Sequence, residues 1–201
     1  MLLSEYTKDK IEAGCDEAGR GCLAGPVMAA AVILPKDYRH ELLNDSKQLT
    51  ERQRYRLRAD VEKDAICWAV ASADNGWIDE HNILKASFHA MCEAVKKLTT
   101  QPEFLLIDGN RFYNETTLPY ECFVKGDGRF LSIAAASILA KTYRDDYMKE
   151  AALKYPEYGW DRNKGYPTKD HYAAIEKYGI TPLHRKSFRL GRQTSLFEED
   201  D

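Results

Sequence analysis

Asp16 and Glu17 are adjacent carboxylates inside Gly14-Cys-Asp-Glu-Ala-Gly-Arg-Gly21, at the end of a short apolar segment. Like charges about 4 Å apart repel by roughly 1 kcal/mol in water and roughly 4 kcal/mol at a protein-surface effective dielectric. A fold that turns both inward needs a cation or a shared proton. One that turns them outward needs neither. Two further acids sit in comparable places. Asp108 follows the apolar run at 104–107, and Asp127 lies between Gly126 and Gly128 after another apolar segment. In open α/β sheets the carboxyl ends of neighbouring strands face a common crevice. Asp16, Glu17, Asp108 and Asp127 are all hard oxygen donors, with no histidine at ligand spacing. That set suits Mg2+ or Mn2+ and not Zn2+. Clustered acids holding such ions are one solution for phosphoryl transfer. Taken singly, each acid also reads as a turn or cap residue, Asp108 in Asp-Gly-Asn above all. The set of four favours a site.

Other chemistries lack support. Residues 19–24 fit a loose G-x-G-x-x-G/A pattern, but Gly25-Pro26 and the β-branched Val27, Val32 and Ile33 follow where a dinucleotide motif opens a helix. There is no G-x-S-x-G, and the five histidines form no H-E-x-x-H. The five cysteines form no Cys-x-x-Cys pair and read as reduced core thiols. The longest apolar run, residues 23–34, is too short to span a bilayer, and the first ten residues lack a signal-peptide layout. A cytoplasmic protein without membrane attachment is expected.

The elements that must position these acids follow from periodicity. At 201 residues, 44% hydrophobic and 30% charged, the chain fits one large domain with a small appendage. Residues 11–15 and 27–34 read as strands. Thr50-Glu-Arg-Gln53 is a capping box opening a helix to about residue 64. Residues 66–71 read as a strand with two buried faces. Leu84, Phe88, Met91, Val95 and Leu98 recur at helical spacing. Strands follow at 104–107 and 120–124, then a long helix from about 130 to 154 and a shorter one from 168 to 178, stopped by Gly179. Such alternation implies an α/β layered sheet. The net charge is −3, yet the last four residues carry −4, so the remainder is +1. Between Trp160 and Arg192, eight Lys or Arg face three acids, a local +5 that suits phosphate or simply a solvated helical face.

Several segments together resemble the type 2 ribonucleases H, the bacterial ribonuclease HII family. They are residues 13–27 with the opening octet, Asn44-Asp-Ser-Lys-Gln-Leu49, Leu106-Ile-Asp-Gly-Asn110, Lys125-Gly-Asp127, Ala134-Ala-Ala-Ser-Ile-Leu-Ala-Lys141, Lys164-Gly-Tyr-Pro-Thr168 and His184-Arg-Lys-Ser-Phe188. They stand in the family's order and span about residues 10 to 190. The resemblance implies an RNase H-like fold: a central mixed sheet flanked by helices, with a small C-terminal helical extension. It implies a catalytic domain at 1–159, a substrate-binding extension at 160–192 and an acidic tail at 193–201. It implies an endonuclease that cuts the RNA strand of RNA–DNA hybrids and cuts 5′ of a single ribonucleotide in duplex DNA. By motif position, Asp16, Glu17, Asp108 and Asp127 would be the catalytic and metal-binding carboxylates, with Mg2+ or Mn2+. Asp145 is a rival for the fourth role, but it lies well along a helix, where pairing with a neighbouring Lys or Arg is expected.

Distinguishing RNA from DNA needs a reader of the 2′-hydroxyl. The resemblance assigns this to Gly19, Arg20, Gly21 and Tyr166. Glycines let a backbone approach a sugar closely, and Tyr166 is suited to stacking. Ser46 falls in the second matched segment and is placed with the substrate contacts. Lys47, Arg185 and Ser187 are expected to contact phosphates, which sets register and not sequence preference. The tail's Gln193-Thr-Ser-Leu-Phe197 resembles the peptide that docks bacterial replication proteins on the sliding clamp, through Gln193, Leu196 and Phe197. Packing of Leu196 and Phe197 on the parent domain is the alternative. A monomer is expected. The rival function is a non-catalytic RNA–DNA hybrid binder on the same fold.

Overall fold

In the computed structural model, which describes residues 2–45 and 49–191, five strands form one mixed sheet ordered β3-β2-β1-β4-β5. They are β1 (Glu12–Ala18), β2 (Val27–Ile33), β3 (Cys67–Ala73), β4 (Phe104–Asp108) and β5 (Tyr120–Phe123). β1, β2 and β3 pair antiparallel, whereas β1–β4 and β4–β5 are parallel. The helices are α1 (Glu51–Asp64), α2 (Asn75–His81), α3 (Ile83–Lys96), α4 (Leu131–Lys154), α5 (Trp160–Asn163) and α6 (Lys169–Tyr178).

The period-2 alternation of the strands divides the core into two layers. Cys15, Ala29, Ala31, Ala69 and Ile107 face α3. Ala30 and Val32 face α1 and α4. The capping box at Thr50 is present, with the Gln53 N–H donating to Thr50 Oγ1. β3 does not bury both faces, as its sequence suggests. Cys67, Ala69, Ala71 and Ala73 are buried, while Trp68 and Val70 are half-buried and Ser72 is exposed. β3 is an edge strand, and the helices cover its outer face incompletely. Ile66, expected within the strand, precedes it and is exposed.

α4 lies against the middle of the sheet. Its first ten residues are buried except Ser137, which is half-buried. Small side chains make this possible, and Gly14 on β1 is indispensable: a Cβ there would lie 2.2 Å from the Ser132 carbonyl carbon. Beyond residue 147, α4 joins α5 and α6 in a separate apolar cluster that includes Leu23, Ala24, Met148, Trp160 and Ile175. The five cysteines are free thiols, and all but Cys122 are buried. Among the described residues no helix is long and apolar enough to cross a membrane.

Candidate active site

The parallel pairing of β1 and β4 runs to Cys15↔Ile107, so Asp16 and Asp108 are the next residues along two adjacent strands. Both carboxylates thereby reach the same end of the sheet. Asp16 is 6% exposed. Its Oδ1 accepts from the Glu17 N–H at 2.7 Å, and it hydrogen-bonds the Ser137 side chain. The close approach of α4 across Gly14 brings Ser137 there. The Gly126 N–H donates to Asp108 Oδ1 at 2.6 Å, which ties the turn bearing Asp127 to the end of β4. Asp127 is buried in that turn, a single 3-10 turn at Gly126–Gly128.

Electrostatics mark this end of the sheet as a place for a cation. Burial, then the charges of Glu17 and Asp108, push the Asp16 carboxyl well above the usual range. Burial also raises Glu17, against the pull of Arg20, whose Nη1 donates to Glu17 Oε1 at 3.0 Å. Three carboxylates thus feel one another, and one arginine offsets only the outermost. Hard oxygen donors crowded at one end of the sheet fit Mg2+ or Mn2+. Among the described residues, no three His, Cys, Asp or Glu side chains already stand at the spacing of a closed metal cage.

Glu17 and Asp127 open onto a cleft of about 470 Å³ whose other walls include Gly19, Arg20, Gly21 and Tyr166. Acids and sugar-reading candidates therefore share one space. Tyr166 is 40% exposed and presents part of its ring to the cleft. Arg54, Ser137 and Lys141 also line the cleft and carried no individual role in the sequence. Ser137 and Lys141 are four apart on α4, so one helical face delivers both. Lys141 Nζ lies 2.6 Å from Asp145 Oδ1. Asp145 is buried within α4, paired with lysine as expected.

Two expected phosphate contacts are placed differently. Arg185 is fully buried, and its guanidinium donates to the carbonyls of Gly25, Arg20 and Gly19 at 2.9, 2.9 and 2.7 Å. It faces the protein and not the cleft, because the chain at 183–185 lies against residues 23–25. Ser187 is exposed, but its hydroxyl and N–H both donate to Asp79 Oδ1, at 2.6 and 2.9 Å. Lys164, counted in the basic segment, is also buried. Ser46, Lys47, Gln193, Leu196 and Phe197 lie outside the described residues.

Comparison with known proteins agrees with this geometry. The family model described as Ribonuclease HII matches residues 13–190. The ribonuclease HII of Bacteroides thetaiotaomicron is 63% identical over 190 residues, covering 94% of this chain and 95% of the relative. That of Phocaeicola vulgatus is 64% identical, covering 94% of each. Among solved structures, the ribonuclease H2 of Pyrococcus horikoshii superposes with a TM-score of 0.76 at 25% identity, covering 89% of this chain and 94% of that one. The RNase HII of Archaeoglobus fulgidus, solved in complex with PCNA, gives the same TM-score and identity, with 92% and 98% covered. The more distant Bst-RNase HIII, solved with Mn2+, shares the fold at a TM-score of 0.65 and 19% identity, covering 90% of this chain and 67% of that one. With a family match over residues 13–190 and relatives more than 60% identical, the chain belongs to the ribonuclease HII family and is a ribonuclease H, an endonuclease and hydrolase.

Proposed function

We propose that this ribonuclease H cuts the RNA strand of RNA–DNA hybrids and also cuts 5′ of a single ribonucleotide embedded in duplex DNA, leaving 5′-phosphate and 3′-hydroxyl ends. One observation carries the proposal: Glu17 and Asp127 open onto the same cleft as Gly19, Arg20, Gly21 and Tyr166. Acids without a sugar reader would suit any nuclease, and a sugar reader without acids would suit a binder.

Asp16, Glu17, Asp108 and Asp127 would hold Mg2+ or Mn2+ at the end of the sheet, and the chemistry supplied there would be activation of water and neutralisation of charge on the leaving oxygen. Ser137 fixes the Asp16 carboxylate through its hydrogen bond. Arg20 steadies Glu17 and presents its charge at the mouth of the cleft. Lys141 and Arg54 supply positive charge for the phosphates of the bound strand. Tyr166 offers an exposed ring to the nucleotide beside the scissile bond. The extension at 160–192 contributes Tyr166 and forms the outer wall of the substrate groove. Lys47 adds a phosphate contact and Ser46 a further contact to the substrate. Gln193, Leu196 and Phe197 dock the chain on the sliding clamp, and the Archaeoglobus fulgidus complex with PCNA supports that reading.

Three duplexes test the catalytic proposal: all-DNA, RNA–DNA hybrid, and DNA with one ribonucleotide, each with Mg2+ or Mn2+. Cutting of the last two and not the first is expected. Equal cutting of all-DNA would refute it. For the tail, Leu196→Ala with Phe197→Ala should lose clamp retention in a pull-down, and undiminished retention would dispose of that role.

A further inference from the structure

The loop at 19–26 is held from beneath by two buried guanidinium groups. Arg144, from α4, donates to the carbonyls of Pro26, Lys164 and Ala24 at 2.9, 2.8 and 3.1 Å. Arg185, from the C-terminal segment, donates to those of Gly25, Arg20 and Gly19. Both side chains are fully buried, and among the described residues neither makes an ion pair. A buried charge without an opposite charge is a costly way to build a core. The return on that cost is geometric: a planar guanidinium presents several donors in a fixed fork, and here two forks fix six carbonyls.

We propose that Arg185 and Arg144 are positioning residues for the sugar-reading loop, with Arg185 setting the conformation of Gly19, Arg20 and Gly21. Arg185 touches no substrate. It acts by drawing the Gly19 and Arg20 carbonyls inward, which leaves the opposite side of this stretch to the cleft. Gly19 is left-handed at φ +96°, and a Cβ there would stand 2.0 Å from Arg144 Nε. Arg144 therefore fills the room that a side chain at position 19 would need. At Gly21 a Cβ would meet nothing within 4 Å, so the loop's outer surface is open to a ligand. The segment that carries Arg185 is itself fixed. The Gly25 N–H donates to the Leu183 carbonyl at 2.9 Å and the Arg185 N–H to the Leu23 carbonyl at 2.8 Å. Asp79 of α2 accepts from the Lys186 and Ser187 N–H groups at 3.0 and 2.9 Å. This inference deepens the proposed function, since it concerns the loop assigned there to the ribose.

Full-length wild type, Arg185→Lys and Arg185→Gln, compared below their melting points, test it. Hydrogen exchange of the segment 18–26 should rise about 10-fold or more in both variants, with β3 and α3 unchanged. On the single-ribonucleotide duplex kcat should fall about 100-fold while KM and Mn2+ affinity stay near wild type. Lysine, which keeps the charge and loses the fork, should rescue little. Unchanged exchange at 18–26, a uniform rise across the sheet, or wild-type kcat would overturn the proposal. If neither variant folds, Asp79→Asn, which loosens the segment from its exposed side, should raise exchange at 18–26 to a smaller degree, and no rise would count against it. Failure of the wild type to cut a ribonucleotide duplex would instead remove the functional reading, and the exchange experiment would still judge whether the two arginines hold the loop.

Discussion

At the scale of single residues, Asp16 concentrates the tension between stability and catalysis. Its carboxyl is buried beside Glu17 and Asp108, and burial first, then those charges, raise its pKa. The folded state then binds more protons than the unfolded chain above the ordinary carboxylate range, so this group destabilises the fold as pH rises. Asp16→Asn removes the charge and keeps the shape. In chelator the variant should melt above wild type, and the gap should widen from pH 5 to pH 8. Saturating Mg2+ should narrow the gap by stabilising wild type alone, while Mg2+-dependent cutting by the variant should be lost. Thermal melts at the two pH values and a cleavage assay check these outcomes. A gap independent of pH would mean that Asp16 is already ionised at no cost.

At the scale of elements, the site depends on how closely α4 approaches β1. Gly14→Ala places a methyl 2.2 Å from the Ser132 carbonyl carbon. Helix and strand must part, at a cost of about 3 kcal/mol or more, and Ser137 must withdraw from Asp16. A lowered urea midpoint together with reduced cutting is expected, and a wild-type midpoint would show that α4 has slack. The sequence made the main elements legible because their periods are strong: the apolar stripe of α3, the capping box of α1 and the Gly179 stop of α6 all lie where read. The convergence of Asp16 and Asp108 was legible because both lie near the carboxyl ends of apolar strands, although β1 runs on to Ala18 and so includes Asp16 and Glu17 where the sequence suggested an end at residue 15. The short α2 escaped because about two turns of Asn-Gly-Trp-Ile-Asp-Glu-His carry little apolar period. The inward course of Arg185 escaped for a different reason. A buried arginine and a surface arginine read alike in sequence, and only the carbonyls around it, from residues more than 150 positions away, distinguish them. Ser137 and Lys141 belonged to a recognised segment, but their roles depend on which face of α4 meets the sheet.

At the scale of the whole molecule, the C-terminal elements that carry Tyr166 and Arg185 are tied to one another through two buried histidines. Trp160 Nε1–H donates to His171 Nε2 at 3.0 Å, so His171 carries its proton on Nδ1 and gives it to the Tyr166 carbonyl at 2.9 Å. The Thr181 N–H donates to His184 Nδ1 at 2.9 Å, so His184 donates from Nε2 to His171 Nε2 at 3.2 Å. The chain of bonds runs from residue 181 to Tyr166, and it requires both rings neutral. Burial lowers both, and His184, with the neighbouring ring adding to the effect, falls to about 4. The folded pKa is below the unfolded value, so the unfolded chain binds more protons between about pH 6.5 and 4. Stability present above that window is lost as pH falls through it, on the order of 3 kcal/mol for His184. His184→Asn keeps an acceptor at the Nδ1 position and cannot be protonated. At pH 7.5 it should be less stable than wild type by about 1 kcal/mol, for the lost bond to His171. Between pH 7 and pH 5 its melting temperature should fall less steeply than that of wild type, so that the two curves converge in acid. Parallel curves across that interval would show that the histidine pair does not govern acid sensitivity and that carboxylates elsewhere do.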